Sequence, residues 1–154
     1  MASRAPAANL GPQDVDAVSM ATSLRLSATR LARRLRQEAD AGLSPSQLSA
    51  LASVELYGPV TLGALAEHER VAPPSVTKVV AKLEAAGLVE RRLDPSDRRV
   101  ARVSTTAAGD ALLATVRRRK SMWLAARLAA LNADQRARLA GALDVLDALT
   151  QEPS

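Results

Sequence analysis

The period of the apolar pattern changes at Gly87, and this change limits the folds that the chain can adopt. Before Gly87, apolar residues recur at helical spacing. After it, residues 89 to 93 alternate, the turn cluster Asp94-Pro95-Ser96-Asp97 follows, and residues 101 to 103 alternate again. This pattern predicts a β-hairpin. Because two strands alone are only marginally stable in water, the preceding helices must support it.

The segment before Gly87 predicts a helix with two different faces. Pro73-Pro74 opens it, because proline is tolerated in the first helical turn, and the helix is expected to run to Ala86. Its inward stripe is predicted to be Val76, Val80 and Leu83, and its opposite face carries Ser75, Lys78 and Lys82. One side is thus apolar and the other small, polar and cationic, as expected of a helix that lies in a DNA groove.

Apolar spacing and capping residues predict five further helices. These are a long helix over 14–40 with an apolar seam (Leu24, Ala28, Leu31, Leu35), a helix from Ser44 to Tyr57, a short helix capped by Thr61, a long helix from Thr106 to about Leu131, and a last helix from Asn132 to about Leu149. The fold class is therefore mainly α with a small β-hairpin wing, organised as a winged helix-turn-helix lobe with additional helices.

The composition excludes several functional classes. The chain has no cysteine, so disulfides, thiolate chemistry and cysteine-type zinc sites are ruled out. The aromatic residues are only Tyr57 and Trp123, too few for single-stranded nucleic-acid binding by base stacking. The net charge of +5 favours a polyanionic partner such as duplex DNA. No membrane span or export signal is apparent, so a cytoplasmic, nucleoid-associated location is expected.

Two groups of residues are predicted to contact DNA. On the helix that follows Pro73 they are Pro74, Ser75, Thr77, Lys78 and Lys82, with Lys82 expected on a phosphate and free backbone N–H groups expected to help bind phosphate at the helix N-terminus. The hairpin carries five arginines and three acids, a local charge of +2. At its tip, Arg98 is expected to enter the minor groove beside Arg99, while Asp97 orients a neighbouring arginine.

These segments resemble the MarR family. The resemblance is carried by Gly42-Leu43-Ser44-Pro45-Ser46-Gln47, Pro74-Ser75-Val76-Thr77-Lys78, Leu83-Glu84, Gly87-Leu88-Val89-Glu90-Arg91, Asp94-Pro95-Ser96-Asp97-Arg98-Arg99 and Thr106-Ala107-Ala108-Gly109. It implies a homodimer on a palindromic operator, repression, and release by a small aromatic or lipophilic effector. By position, Arg98 is the wing-tip arginine and Asp97 its structural partner. Thr105 departs from the apolar residue expected there.

The sequence pattern and the resemblance together predict a division of the chain into four segments. We expect a mobile arm over 1–13, N-terminal dimerisation and scaffold helices over 14–57, a DNA-binding lobe over 58–104, and C-terminal dimerisation helices over 105–150. No cofactor and no metal is expected, since His68 is the only histidine and lacks a second imidazole.

Some features have plainer interpretations. Tyr57 and Trp123 are candidates for an effector pocket, although core or dimer packing is the favoured role for both. The basic run Arg117-Arg118-Arg119-Lys120 is expected to be solvated, with some interfacial salt bridges. A protein-binding or scaffold module is the main alternative function. An enzyme is disfavoured because the sequence contains no phosphate-binding loop, zinc-protease motif or nucleophile elbow.

Overall fold

A computed structural model describes residues 12 to 151, and residues 1 to 11 of the predicted N-terminal arm lie outside the described residues. The chain divides into two compact units, with the boundary between Gln37 and Glu38. The first unit ends at Gln37 and contains helix α1 (Pro12–Glu38) except for its last residue. This helix confirms the one predicted over 14–40. Leu24 and Leu31 of its apolar seam are 38% and 44% exposed.

The second unit begins with helix α2 (Pro45–Tyr57), whose start is set by the predicted capping box. The Ser44 hydroxyl accepts a hydrogen bond from the backbone N–H of Gln47 at 3.3 Å, and the Gln47 side chain accepts one from the N–H of Ser44 at 2.9 Å. Two N–H groups that have no partner within the helix are satisfied in this way. The inner face of α2 buries Ala50, Leu51 and Val54.

The helix-turn-helix consists of helix α3 (Leu62–Glu69) and helix α4 (Pro73–Ala85). The Thr61 hydroxyl caps α3 by accepting from the N–H of Ala64 at 3.2 Å, as predicted. Arg70 ends α3 in the left-handed conformation, with φ of 53°. The chain then turns so that α4 starts at Pro73, where the sequence predicts it to start.

The hairpin consists of strand β2 (Val89–Leu93) and strand β3 (Ala101–Thr105), paired antiparallel with Arg91 opposite Val103. A further strand, β1 (Val60–Thr61), pairs with the other edge of β3, giving the sheet order β1-β3-β2. The sequence did not predict β1, because two residues are too short to show alternation. The hairpin therefore gains a third strand in addition to the helices that pack beneath it.

Helix α5 (Ala107–Ala129) packs tightly against the base of the hairpin. The Thr106 hydroxyl donates to the Gly87 carbonyl at 2.6 Å, and the Thr106 N–H donates to the Leu88 carbonyl at 3.1 Å. At Gly109, an added Cβ would lie 2.2 Å from the same Leu88 oxygen. The polar residue Thr105 leaves this junction intact, because it pairs with Val89 at the end of the sheet.

One hydrophobic core joins these elements. It is formed by Ala50, Leu51, Val54, Val60, Leu65, Ala66, Val76, Val80, Leu83, Leu88, Val89, Val103 and Leu113. Helix α2 therefore packs in the same core as α4 and the hairpin. The expected division of the chain instead placed α2 with the helices of residues 14–57, outside the DNA-binding lobe of residues 58–104. The predicted inward stripe of α4, Val76, Val80 and Leu83, is confirmed as buried.

The last predicted helix is interrupted. Its capping box at Asn132 and Gln135 is confirmed, but helix α6 (Ala133–Ala140) ends at Gly141 and helix α7 (Leu143–Ala148) follows. Glycine is a poor helix former, and the N–H of Ala142 bonds the Leu139 carbonyl in a tightened turn. A single helix to Leu149 was therefore wrong. Within residues 12–151, no helix is both long enough and apolar enough to span a membrane.

Candidate nucleic-acid interface

Helix α4 presents every predicted contact residue to the outside. Pro74, Ser75, Thr77, Lys78 and Lys82 are all exposed, outside the buried stripe of Val76, Val80 and Leu83. Within the part of the chain that the structure describes, the side chains of Ser75, Lys78 and Lys82 make no hydrogen bond or ion pair. The Thr77 hydroxyl differs, because it donates to the Pro73 carbonyl at 3.0 Å and so has only its acceptor lone pairs left for DNA.

The first turn of α4 lacks the free backbone N–H groups that the sequence predicted. Pro73 and Pro74 have no N–H. The N–H of Ser75 bonds the Ala72 carbonyl at 2.9 Å, and that of Val76 reaches the same oxygen at 3.5 Å. The prediction of help from free N–H groups was therefore wrong for this turn. Phosphate binding here would depend on side chains and on the positive end of the helix dipole.

Ion pairs divide the five hairpin arginines into two groups. Arg91 pairs with Glu84 of α4 at 3.1 Å, Arg92 pairs with Glu90 at 2.8 Å, and Arg102 pairs with Asp94. Arg98 and Arg99 are exposed in the turn between β2 and β3, and among the described residues neither has an acidic partner. Two guanidinium groups of the wing thus remain available for a phosphate or a groove.

The carboxylate that orients an arginine side chain is Asp94 and not Asp97. Asp94 accepts from the Nε of Arg102. The Asp97 carboxylate accepts from the backbone N–H of Arg99 at 3.0 Å, so it fixes the turn and not a guanidinium. The prediction that Asp97 orients a neighbouring arginine therefore needs correction. The turn places its side chain next to the backbone of Arg99, whereas strand register brings Arg102 to Asp94.

Sequence reasoning assigned no pairing role to Glu84, Asp94 or Arg102. Asp94 could have been noticed, because an aspartate followed by Pro-Ser is typical of a side chain that caps its own turn. The partners of Glu84 and Arg102 depend on how α4 lies against β2 and on the strand register, and neither can be read from spacing.

The two aromatic residues lie in different surroundings. The Tyr57 ring stacks on His68 with centroids 3.9 Å apart, and Tyr57 is 48% exposed. Trp123 is half-buried under Arg127, whose guanidinium lies 5.1 Å from the ring centroid. A cavity of about 320 Å³ between α2 and α4 is lined by other residues, among them Ser46, Ser75 and Val79. An effector pocket at Tyr57 and Trp123 stays a prediction.

The basic run of α5 is partly engaged within the chain. Arg117 forms an ion pair with Glu55 of α2, and Arg119 donates to the Asp40 carbonyl at 3.0 Å. These contacts hold α5 against α2 and against the segment that contains Asp40. Among residues 16–151, no group of histidine, cysteine and acidic side chains is arranged to hold a metal ion.

Comparison with known proteins identifies the family. The family model described as the MarR family matches residues 43–101, which include α2, the helix-turn-helix and most of the hairpin. A protein of Mycobacterium tuberculosis named an HTH-type transcriptional regulator is 44% identical over 134 residues, which cover 86% of this chain and 94% of that protein. The repressor MdtR of Bacillus subtilis is 38% identical over 69 residues, 45% of this chain and 44% of MdtR.

Solved structures show the same fold. A transcriptional regulator of Pseudomonas aeruginosa is similar to this chain with a TM-score of 0.80 and 34% identity, over 93% of this chain and 99% of that one. A mutant of MepR from Staphylococcus aureus, solved with an oligodeoxyribonucleotide, has a TM-score of 0.68 over 86% of this chain and 98% of its own, at 16% identity. The chain belongs to the MarR family of winged-helix transcriptional regulators, and it is not an enzyme.

Proposed function

We propose that the protein is a homodimer that binds a palindromic site in double-stranded DNA and represses transcription until a small molecule releases it. The observation that carries the proposal is the division of side chains on α4 and the wing. The side chains of Ser75, Lys78 and Lys82 are exposed and have no hydrogen-bond or ion-pair partner in the described chain. The same holds for the side chains of Arg98 and Arg99, while the other hairpin arginines pair with acids. Unpaired cations grouped on two neighbouring elements suit a phosphate backbone and its grooves.

The relatives support the DNA partner and the sign of regulation. MdtR is named a repressor, and the MepR mutant of the same fold is bound to an oligodeoxyribonucleotide. In this chain α4 would enter the major groove, where Ser75 and Lys78 lie nearest to base edges and Lys82 contacts a phosphate. Pro74 and Thr77 would line the same face, and Arg98 and Arg99 would reach the adjacent minor groove, with Asp97 bracing their turn.

Exposed apolar side chains support dimerisation through the terminal helices, the N-terminal ones within 14–57 and the C-terminal ones within 105–150. In α1, Leu24 and Leu31 are 38% and 44% exposed. Around α7, Leu143, Val145 and Leu149 are 54%, 57% and 66% exposed. Large apolar residues repeated along helices are costly to leave in water, and burial against a second copy would remove that cost.

One hydrogen-bond donor on α5 that has no partner among the described residues supports an effector site. The indole N–H of Trp123 is buried and has no hydrogen-bond partner within the described residues. A small aromatic or lipophilic molecule with an acceptor oxygen could satisfy it. Tyr57 is the other predicted pocket residue, and its hydroxyl offers both a donor and an acceptor.

In the test, the full chain is used to select the fragments that it binds from a pool of random duplex DNA. The proposal expects one enriched palindrome with half-sites about 10 base pairs apart and an affinity that falls steeply with salt. The matched control is the selected site with both half-sites scrambled. Sedimentation of the protein with and without DNA gives its stoichiometry, expected as two chains per site. A protein-binding scaffold, the competing function, would enrich no sequence.

A further inference from the structure

Asp94 is the only charged or polar residue that is buried among residues 16–151, and it lies just after β2 in the wing turn. It is 7% exposed. Its Oδ1 accepts from the Ser96 N–H at 2.8 Å, from the Ser96 hydroxyl at 2.5 Å and from the Asp97 N–H at 3.4 Å. Its Oδ2 accepts from Arg102. Four donors on one carboxylate make this residue the centre of the turn.

These donors stabilise the charged form of the carboxylate. The hydroxyl of Ser96 is the strongest influence, followed by Arg102 and then the Ser96 N–H, and together they hold the pKa of Asp94 well below its usual range. Asp94 is therefore ionised throughout the pH range in which DNA binding is measured. A carboxylate that lost these four donors would lose this stabilisation, so the hydrogen bonds favour the observed turn.

The backbone closes the same turn. The Asp94 N–H donates to the Val100 carbonyl at 2.8 Å, and the Val100 N–H donates to the Asp97 carbonyl at 2.9 Å. Arg98 and Arg99 lie in the segment between Asp97 and Val100 that these hydrogen bonds close. Their backbone positions are thus set by a turn that Asp94 holds from inside.

Arg102 connects the turn to the far edge of the sheet. It lies on the central strand β3, opposite Arg92 on one side and Thr61 on the other. Its Nε binds Asp94, and its Nη1 donates to the Pro59 carbonyl at 3.4 Å, before β1. A planar guanidinium with donors in fixed directions can hold both groups at once, which a lysine ammonium cannot do in the same geometry.

We propose that Asp94 and Arg102 are positioning residues that hold the wing turn so that Arg98 and Arg99 meet the DNA, and that Arg102 itself makes no DNA contact. This inference rests on the proposed DNA-binding function. It assigns Arg102 a role opposite to that expected for an exposed arginine in a basic wing, and it predicts that Arg102 acts only through the two turn arginines.

The experiment is a double-mutant cycle on the selected operator. Arg102→Met, which keeps the aliphatic stem, is measured in the natural chain and in the Arg98→Ala/Arg99→Ala chain, at low salt so that the weaker complexes remain measurable. We expect Arg102→Met to weaken binding about 10-fold in the natural chain and less than about 2-fold when Arg98 and Arg99 are absent, because coupled residues are not additive. Arg92→Met is the matched control, since Arg92 lies opposite Arg102 and pairs with Glu90.

Arg102→Lys separates geometry from charge. If Arg102 positions the turn, Arg102→Lys should weaken binding as much as Arg102→Met, because lysine cannot contact Asp94 and the Pro59 carbonyl at once. If Arg102 instead contacts a phosphate directly, Arg102→Lys should bind almost as tightly as the natural chain. Hydrogen exchange at the Ser96 and Asp97 amides provides a readout independent of DNA. Both N–H groups bond Asp94, and Arg102→Met is expected to speed their exchange without changing exchange in the core strands.

The outcomes separate this inference from the proposed function. If selection enriches no DNA, the proposed function fails. If DNA binds and Arg98→Ala/Arg99→Ala weakens it, but Arg102→Met leaves it unchanged, then only the positioning role fails. Equal losses from Arg102→Met in both chains, or loss from Arg92→Met of the same size, would also overturn it.

Discussion

Glu84 on α4 and Arg91 on β2 form an ion pair across the boundary between the helix and the hairpin, with Oε2 and Nε 3.1 Å apart. Their side chains are 42% and 28% exposed, so the pair contributes at most about 1 kcal/mol to stability. Its greater effect is on charge. It removes Arg91 from the cations available to a polyanion, and it connects the helix proposed to read the major groove with the strand that leads to the wing.

The wing arginines carry the first prediction. Arg98→Ala is expected to weaken operator binding about 10-fold or more, and Arg99→Ala by a similar factor, since a minor-groove guanidinium is not replaced by water. Neither change should affect folding, because both side chains are exposed. Titration of labelled operator measures the effect. Arg92→Ala is the control and should change affinity less than about 2-fold. Unchanged affinity for both variants would contradict the wing assignment.

The lysines of α4 are expected to differ from each other. Lys82→Ala should weaken binding equally on all sequences and reduce the slope of log affinity against log salt by about 1, as one lost phosphate contact does. Lys78→Ala should also change which base is preferred at one position of each half-site. Repeated selection with each variant measures both effects. Lys120→Ala on α5 is the control. A changed base preference of the Lys120→Ala variant would argue against the separate roles given to Lys78 and Lys82.

Two glycines are predicted to respond oppositely to alanine. At Gly109 the added Cβ meets the Leu88 carbonyl at 2.2 Å, so the contact between α5 and the hairpin must open, at a cost of about 1–3 kcal/mol or more. At Gly63, in α3, the nearest atom lies 4.0 Å away, so alanine should stabilise by up to about 1 kcal/mol through helix propensity. Urea unfolding measures both, and a stable Gly109→Ala protein would show that this contact is loose.

Acid should remove the contribution of Asp94 to stability. The pKa of Asp94 is lowered in the folded chain, so its stabilisation is fully present above the ordinary aspartate pKa of about 3.9 and is lost as the pH falls below it. The free energy of unfolding of Asp94→Asn should therefore lie below that of the natural chain by a constant amount from pH 8 to about pH 5, and the difference should shrink below about pH 4. A difference independent of pH would mean that charge is not involved.

Local signals predicted most of the elements. The capping boxes at Ser44 and Asn132 and the caps at Thr61 and Thr106 each fix a helix start through hydrogen bonds within three residues. Pro73 and Pro74 favour the start of α4 through their restricted backbone angle, without a side-chain cap. The exposed and buried faces of α4 also followed, because one face of a helix is defined by spacing alone. The break at Gly141 was missed, since the flanking leucines keep helical spacing across it.

Long-range pairing could not be predicted in the same way. The short strand β1, the pairs Glu84–Arg91 and Asp94–Arg102, and the hydrogen bond from Arg102 to Pro59 join residues that are distant in sequence or brought together by register. The five arginines of the hairpin cannot be told apart in the sequence, because only the tertiary structure shows which of them lie next to an acidic side chain.

The sequence by itself determined where the helices and the hairpin lie, which face of α4 is polar, and which family the segments resemble, because these depend on residue spacing and local capping. Only the tertiary structure decided which cations remain free. Charges are paired by proximity in space, so Arg91, Arg92 and Arg102 lie beside acidic side chains, and Arg98 and Arg99 are the two arginines of the wing without an acidic partner among the described residues.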